Sequence, residues 1–535
     1  MSTNPYIVRL PGSRRRLQHG ARAKTSGRPT RGMRERLLMP VLFAPVFMVI
    51  LDVFIVNVAA PSLRTDLHAT ASEVQWVVGA YVLTYAISLV TAGRLGDIFG
   101  RRRMFRIGVA GFTLASALCA AAPSASTLIA GRLLQGFAGA AMWPQVLSII
   151  QVHFAPSQRR KVLAMQGGIQ GLASVTGQIV GGGLIALDFL HLGWRTVFLI
   201  NVPVGLFALA AAGRVVPESR SESARKLDLP GVALATTTLA LIMVPAIEGR
   251  EAGWPPWVFV ALACAVPAAI GFVALERRIA ARGGSPLAEL RLFRARGFRT
   301  ATSSVFLLYC IPSFFLLLSL YMQSGLGLDP IETGLAFTPL AIAYAAASLF
   351  GPRVRAPWRE RLPQIGAFTI AAGLIATILA IEVFDVHTIG VTLIVTMAVM
   401  NSGMGIAVPT LIHLAVRDVP SSDAGTAAGI FSTSQQVGNG LGIAILGTVF
   451  FSVLGTRTGP LAYGHALSVA MGVQVVIVLV SGAMLTRAAR KRRTAGSDSV
   501  AREAHDLAPA GRAPGVVPAP MLACAATRAG DTLRT

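Results

Sequence analysis

The chain has 535 residues, a mean hydropathy of +0.63, 53% apolar residues and only 13% charged ones. A soluble domain carries roughly 25% charge and a disordered chain is poor in apolar residues, so both are excluded for most of the length. The net charge of +24, from 48 Lys+Arg against 24 Asp+Glu, would suit a nucleic-acid binder, but not with so apolar a sequence. A polytopic membrane protein with basic loops remains, with no nucleic-acid partner.

Residues 1–36 form a basic tail with ten Lys/Arg against Glu35. That composition fits a cytoplasmic tail better than a transit peptide, and the apolar run after it is too long for a signal-peptide core. A bilayer core of about 30 Å needs about 20 apolar residues per helix. Fourteen such stretches follow, near 37–60, 75–95, 105–123, 127–150, 163–187, 195–213, 229–248, 257–275, 299–322, 333–352, 364–383, 389–413, 425–451 and 464–486. Runs of this length are helices, because lipid leaves no partner for open backbone. The expected fold class is therefore all-α, with 14 transmembrane helices. Residues 487–535, rich in Ala, Pro and Arg, are expected to be a disordered basic tail.

Placing the N-terminus inside puts 24 Lys/Arg in the inner connections and four, Arg64, Arg195, Arg250 and Arg457, in the outer ones. By the positive-inside rule both tails are then cytoplasmic. Trp76, Trp194, Trp254 and Trp257 fall at outer helix ends and Trp358 at an inner one. The cysteines, Cys119, Cys264, Cys310 and Cys524, form no CxxC pair or His/Cys cluster, so no metal site is indicated. No GxxxxGK[ST] phosphate loop, HExxH or GxSxG occurs, so neither ATP nor catalysis is indicated.

Few ionisable residues lie deep in the membrane, where each costs about 2.5–3.5 kcal/mol at a helix centre. Asp52 sits nine residues before Pro61 on the first helix, and Arg132 lies near the outer end of the fourth. A buried carboxylate can hold or release a proton according to water access and a nearby cation. Proton coupling needs such a group; the plainer alternative is an interhelical hydrogen bond or clamp.

The string Gly93-Arg94-Leu95-Gly96-Asp97-Ile98-Phe99-Gly100-Arg101-Arg102-Arg103 places glycines for a tight turn and charges for a latch. It closely resembles the helix 2–3 loop motif of the major facilitator superfamily, GxLaDrxGrkr. Leu51-Asp52-Val53-Phe54-Ile55-Val56-Asn57-Val58-Ala59-Ala60-Pro61 resembles the helix-1 motif LDxTVvNVALP of the fourteen-helix drug:proton antiporters of the EmrB/QacA type, with Phe54 where the family has Thr. The start of helix 2 at Val74-Gln75-Trp76, the run Arg132 to Ala141, the run Trp194 to Gly205 and the pattern Gly425 to Gly447 extend the likeness over nearly all of the chain but the tails.

The resemblance implies a 6+2+6 arrangement: six helices over 37–213, two inserted helices with linkers over 214–298, and six more over 299–486. It implies export of drugs, antibiotics or similar small lipophilic molecules in exchange for protons, without a cofactor. Expected beside it are a bacterial plasma-membrane location, a monomer, a lipid bilayer and a small-molecule substrate as partners. Asp52 and Arg132 would couple protons, and Gly93, Asp97, Gly100 and Arg101 would form a cytoplasmic gate. One departure lies on helix 5, where the family's gxxxGPxxGG reads Gly177-Gln178-Ile179-Val180-Gly181-Gly182, so that Gln178 replaces the proline. Candidate polar groups lining the cavity are Tyr81, Thr84, Gln135, Gln178, Asn401 and Gln436. No second deep carboxylate accompanies Asp52; Glu248, Glu332, Glu382 and Asp385 fall near outer ends. An exporter of a siderophore, lipid or amino acid, a proton-coupled importer, or a non-transporting receptor or scaffold are the competing readings.

Overall fold

The computed structural model describes residues 31–220, 227–350, 354, 358, 360–384, 389–417, 419 and 424–506. Fourteen long helices span them. The first six are α1 (Arg31–Asp66), α2 (Ala71–Phe99), α3 (Arg101–Ala120), α4 (Ala125–His153), α5 (Pro156–Ala186) and α6 (Gly193–Val215). Two more, α7 (Leu229–Glu248) and α8 (Pro256–Ala281), precede α9 (Arg296–Gly325), α10 (Pro330–Phe350), α11 (Leu362–Val383), α12 (Ile389–Arg417), α13 (Ala424–Leu454) and α14 (Pro460–Asp506). Among the described residues, thirteen helices are long and apolar enough to cross a membrane. The tail segments 1–30 and 507–535, and Asp385, lie outside the described residues.

Helix ends follow local chemistry. The Thr70 hydroxyl accepts from Glu73 N and the Glu73 carboxylate accepts from Thr70 N, a reciprocal cap that starts α2. Ser124 caps α4 through Thr127 N and Asp228 caps α7 through Gly231 N. The last helix runs on to Asp506, well past the boundary at 486 that hydropathy sets. The ninth is not continuous as expected. It breaks at Tyr309–Cys310, re-forms through a 3₁₀ turn at Ile311–Ser313 and ends in a π turn at Tyr321–Gly325. Pro312 brings no N–H to bridge that break.

The packing is duplicated. In the first bundle α1 lies against α5 and α6, and α4 against α2 and α3, with α3 also on α6. In the second, α9 lies against α13 and α14, and α12 against α10 and α11, with α11 also on α14. The same pairings at the same intervals make two pseudo-symmetric six-helix units. They meet where α5 packs on α10, α2 on α13 and α1 on α9. Helix α7 packs on α2 and α13, placing the Met243 methyl 3.7 Å from where a Gly79 Cβ would stand and 3.4 Å from that of Gly440. Helix α8 lies outside and exposes Phe259, Val260, Val266 and Ile270.

One end of the molecule carries the arginine-rich connections; the opposite, acidic end is where the bundles are joined. There Arg64 Nη1 reaches the Tyr463 hydroxyl at 3.5 Å and Gln323 Nε2 donates to Val58 O at 2.9 Å. Helix α5 touches α10 so closely that a Cβ on Gly182 would stand 2.2 Å from Pro330 O. Further along α5 toward the basic end, a Cβ on Gly167, Gly168 or Gly171 would meet nothing within 4 Å. The Arg64, Gln323 and Gly182 contacts join the bundles at the acidic end.

Candidate functional site

Five helices of the first bundle converge on Asp52. The Asp52 carboxylate is fully buried, and its Oδ2 accepts from Arg132 Nη1 at 2.5 Å. Its Oδ1 accepts from Gln135 Nε2 at 2.7 Å and from Asn201 Nδ2 at 3.4 Å. Arg132 also donates from Nε to Val77 O at 2.8 Å and from Nη1 to Gln135 Oε1 at 2.7 Å. Its guanidinium carbon lies 4.4 Å from the centroid of the Tyr81 ring and 5.8 Å from that of Phe198. Ser116 Oγ accepts from Gln135 Nε2 at 2.9 Å, and the Cys119 thiol reaches Gln135 Oε1 at 3.8 Å. A desolvated ion pair is tolerable only when its remaining donors and acceptors are met, and here α1, α2, α3, α4 and α6 supply the partners. Three donors converge on the carboxylate, the acceptor-only pattern of an ionised acid.

Small residues let these helices approach. A Cβ on Gly136 would stand 2.0 Å from Thr84 Oγ1 and 2.5 Å from Tyr81 O, so only glycine lets α4 press on α2 there. Three of the residues expected to line the cavity lie here. Tyr81 and Gln135 are fully buried within the first bundle, and Thr84, 4% exposed, turns its hydroxyl back to Ala80 O at 2.9 Å. They lie in the α2–α4 seam and the Asp52 network. Asn401 likewise donates to Met397 O of its own helix at 3.2 Å. Gln436 is half-buried on α13.

Gln178 stands where the bundles meet. Its neighbour Gly177 lies against α1, where a Cβ would be 3.0 Å from Leu51 O, and Gly181 lies against Ile55. From the other side Gly334 of α10 presses on the Gln178 carbonyl. Both side-chain amide atoms are buried, and no described group hydrogen-bonds to them. With Gln178 in place of proline, α5 runs unbroken from Pro156 to Ala186. Phe54, the other departure, packs edge-to-face on Phe315 at 5.4 Å, and Phe315 lies 5.5 Å from Phe337. These rings join α1 to α9 and α10.

At the basic end, Asp97 Oδ1 accepts from Arg101 Nη2 at 2.8 Å and from Nε at 3.2 Å. The intervening Gly100 has φ +103°, a conformation side chains rarely adopt. Gly93 lies against α4, with 3.6 Å from a Cβ there to Pro144 Cβ. The turn is fastened to the segment after α6: Arg101 N donates to Ser219 O at 3.0 Å and Arg102 N to Glu218 Oε1 at 3.1 Å. Arg94 donates to Ser285 O at 3.0 Å and to Pro286 O in the connection after α8. Asp97 thus pairs within its own turn.

Sequence reading missed Ser116, Cys119 and Phe198 as partners in the network. Asn201 had a signal, since it lies in the Trp194–Gly205 run, but nothing in its spacing assigns it to Asp52.

Residues 42–443 match the family model of the Major Facilitator Superfamily, and the chain belongs to that family of membrane transporters. It is 37% identical over 435 residues to a Streptomyces coelicolor protein described as "Probable actinorhodin transporter", covering 81% of this chain and 75% of that one. A puromycin resistance protein of Streptomyces alboniger is 33% identical, over 82% of this chain and 88% of its own. The tetracenomycin C resistance and export protein of Streptomyces glaucescens is 33% identical, over 80% and 78%. Among solved structures, an inward-facing, unoccupied bacterial homologue of the lysosomal transporter Spinster aligns with a TM-score of 0.62 at 18% identity. It covers 86% of this chain and 98% of that one, a likeness of fold.

Proposed function

We propose that the protein exports antibiotics or similar small lipophilic molecules in exchange for protons, without enzymatic chemistry or a cofactor. It would work as a monomer in a bacterial plasma membrane, with both termini and the arginine-rich end in the cytoplasm. The observation that carries this reading is the buried Asp52–Arg132 pair, held in the bundle by Gln135 and Asn201. With the bundles joined at the acidic end, a cleft between them would open toward the cytoplasm, and Asp52 has the donors of an ionised carboxylate. This suits the stage after a proton has left inward and before substrate is carried out. A proton entering from outside would discharge Asp52, weaken its hold on Arg132 and release substrate outward, before being lost to the inside. Moving one proton across 100 mV supplies about 2.3 kcal/mol for that work.

Asp97 and Arg101 would re-pair across the cytoplasmic face when the cleft closes there. Gln178 and the Phe54, Phe315 and Phe337 rings would meet substrate at the apex of the cleft. With no second deep carboxylate, that apex suits neutral, weakly cationic or zwitterionic aromatic molecules better than dications. The relatives' names support antibiotic export; a metabolite exporter would keep the coupling site and change only this apex.

The test is transport of an aromatic antibiotic into inside-out vesicles under an imposed proton gradient. Wild type should accumulate the drug and release protons from the lumen as it does so. Asp52→Asn should retain drug binding but lose proton-driven accumulation, and Asp52→Glu should recover part of it. Undiminished, proton-coupled accumulation by Asp52→Asn would overturn the assignment of the coupling site.

A further inference from the structure

A pair of carboxyl groups is buried at the basic end, in the inserted helices and away from Asp52. Asp228 caps α7, and its Oδ1 accepts from Gly231 N at 2.8 Å while Oδ2 accepts from Leu287 N at 3.0 Å. Glu276, in the last turns of α8, is fully buried, and its Oε2 accepts from Ala288 N at 2.7 Å. Both carboxyls lie over Gly231, where a Cβ would stand 2.3 Å from Asp228 Oδ2 and 2.5 Å from Glu276 Oε1. Glu276 Oε1 has no N–H or hydroxyl donor among the described residues. Two buried carboxylates this close, both acceptors only, would repel and leave that oxygen unmet, so the arrangement calls for a proton on one of them.

A charged neighbour from another element is Arg94 of α2, which donates to Ser285 O and Pro286 O. On the connection itself, Glu289 pairs with Arg291 at 3.2 Å. Three side chains therefore hold four consecutive residues by their backbone. Arg94 takes the carbonyls of Ser285 and Pro286, and the two acids take the N–H groups of Leu287 and Ala288.

We propose that Asp228 and Glu276 form a second proton-binding site, whose single shared proton clamps the 285–288 connection and, through it, the Arg94 end of the gate loop. With the proton bound, both acids reach the connection at once and Arg94 stays docked. Loss of the proton sets two like charges against each other in a buried space, drives the acids apart and releases Leu287 and Ala288. The clamp is thus present at low pH and lost as pH rises. On the orientation proposed above, the site senses the cytoplasmic proton, and its occupancy holds the transporter open to the cytoplasm.

The test is amide hydrogen exchange at Leu287 and Ala288 in the full-length protein in lipid nanodiscs, where both faces share one pH. Rates are corrected for their intrinsic pH dependence. Between about pH 5 and about pH 9, wild-type exchange at these amides should accelerate about tenfold or more. Glu276→Gln, whose amide replaces the shared proton with a permanent donor, should keep them protected throughout, and Asp228→Asn should do the same from the other side. Asp52→Asn should leave the wild-type response intact, so failure of the coupling site and failure of this one are told apart. A flat wild-type profile would overturn the proposal, as would an unchanged response in either variant or its loss in Asp52→Asn. Protection that follows sodium concentration at fixed pH would replace the proton with a metal cation and equally overturn it.

Discussion

Arg132 holds Asp52, Gln135 and Val77 O at once while lying over the Tyr81 ring. That needs a planar group with several donors at fixed angles, which lysine's single ammonium cannot reproduce. A hydrogen bond to a charged group is worth about 1.5–3 kcal/mol, about ten- to a hundredfold in a rate. Arg132→Lys should therefore cut proton-driven drug accumulation by about that factor in vesicles while the protein still inserts. Asn201→Ala, which removes the longer contact to Oδ1 at 3.4 Å, should cost only a few-fold. Wild-type transport by Arg132→Lys would mean that charge alone suffices there. The pair itself was legible because charge deep in a membrane is rare enough to stand out. Ser116 and Asn201 were not, since small polar side chains in membrane helices commonly satisfy themselves on their own backbone, as Thr113 does on Val109 O.

At the scale of the element, the helix-5 glycines let α5 approach both bundles closely. Gly177 and Gly181 face α1, and Gly182 faces α10, so one stretch of α5 touches both halves of the molecule. Adding a Cβ to Gly182 forces it to within 2.2 Å of Pro330 O, a backbone atom that moves only if α5 and α10 part. Gly182→Ala should therefore loosen the joined end. In a cysteine-free background, a Gln323→Cys label site beside Val58 should then react with a membrane-impermeant maleimide about tenfold faster from the acidic end. No change in rate would show that α5 and α10 separate elsewhere. Helix number and order were readable because each span is a long apolar run. The break in α9 was not, since its residues are as apolar as a continuous helix would need. Nor was the inward turn of Thr84 and Asn401, because hydropathy gives a helix no rotational phase when lipid and neighbouring helices are equally apolar.

Over the whole molecule, the charges sort by end. The acidic-end connections carry Arg64, Arg195, Arg250 and Arg457 against nine Asp/Glu, while the other end and the tails hold all the remaining Lys and Arg except Arg132. Asp52 and Arg132 cancel, so the +24 is the sum of a strongly basic face and a mildly acidic one. Lys and Arg near helix ends resist translocation, and the bundles are joined at the acidic end, so orientation and conformational state follow from one assignment. If the basic face is cytoplasmic, a cysteine replacing Arg457 should be labelled by impermeant reagent on intact cells, and one replacing Arg103 only after the membrane is opened. The cleft beside Gly167 and Gly171 would then admit such reagents only from inside. Labelling of the Arg103 site on intact cells would invert the molecule. The cleft would then face outward, the docked Arg94 would sit on the outer surface, and export driven by inward proton flow would lose its geometric basis.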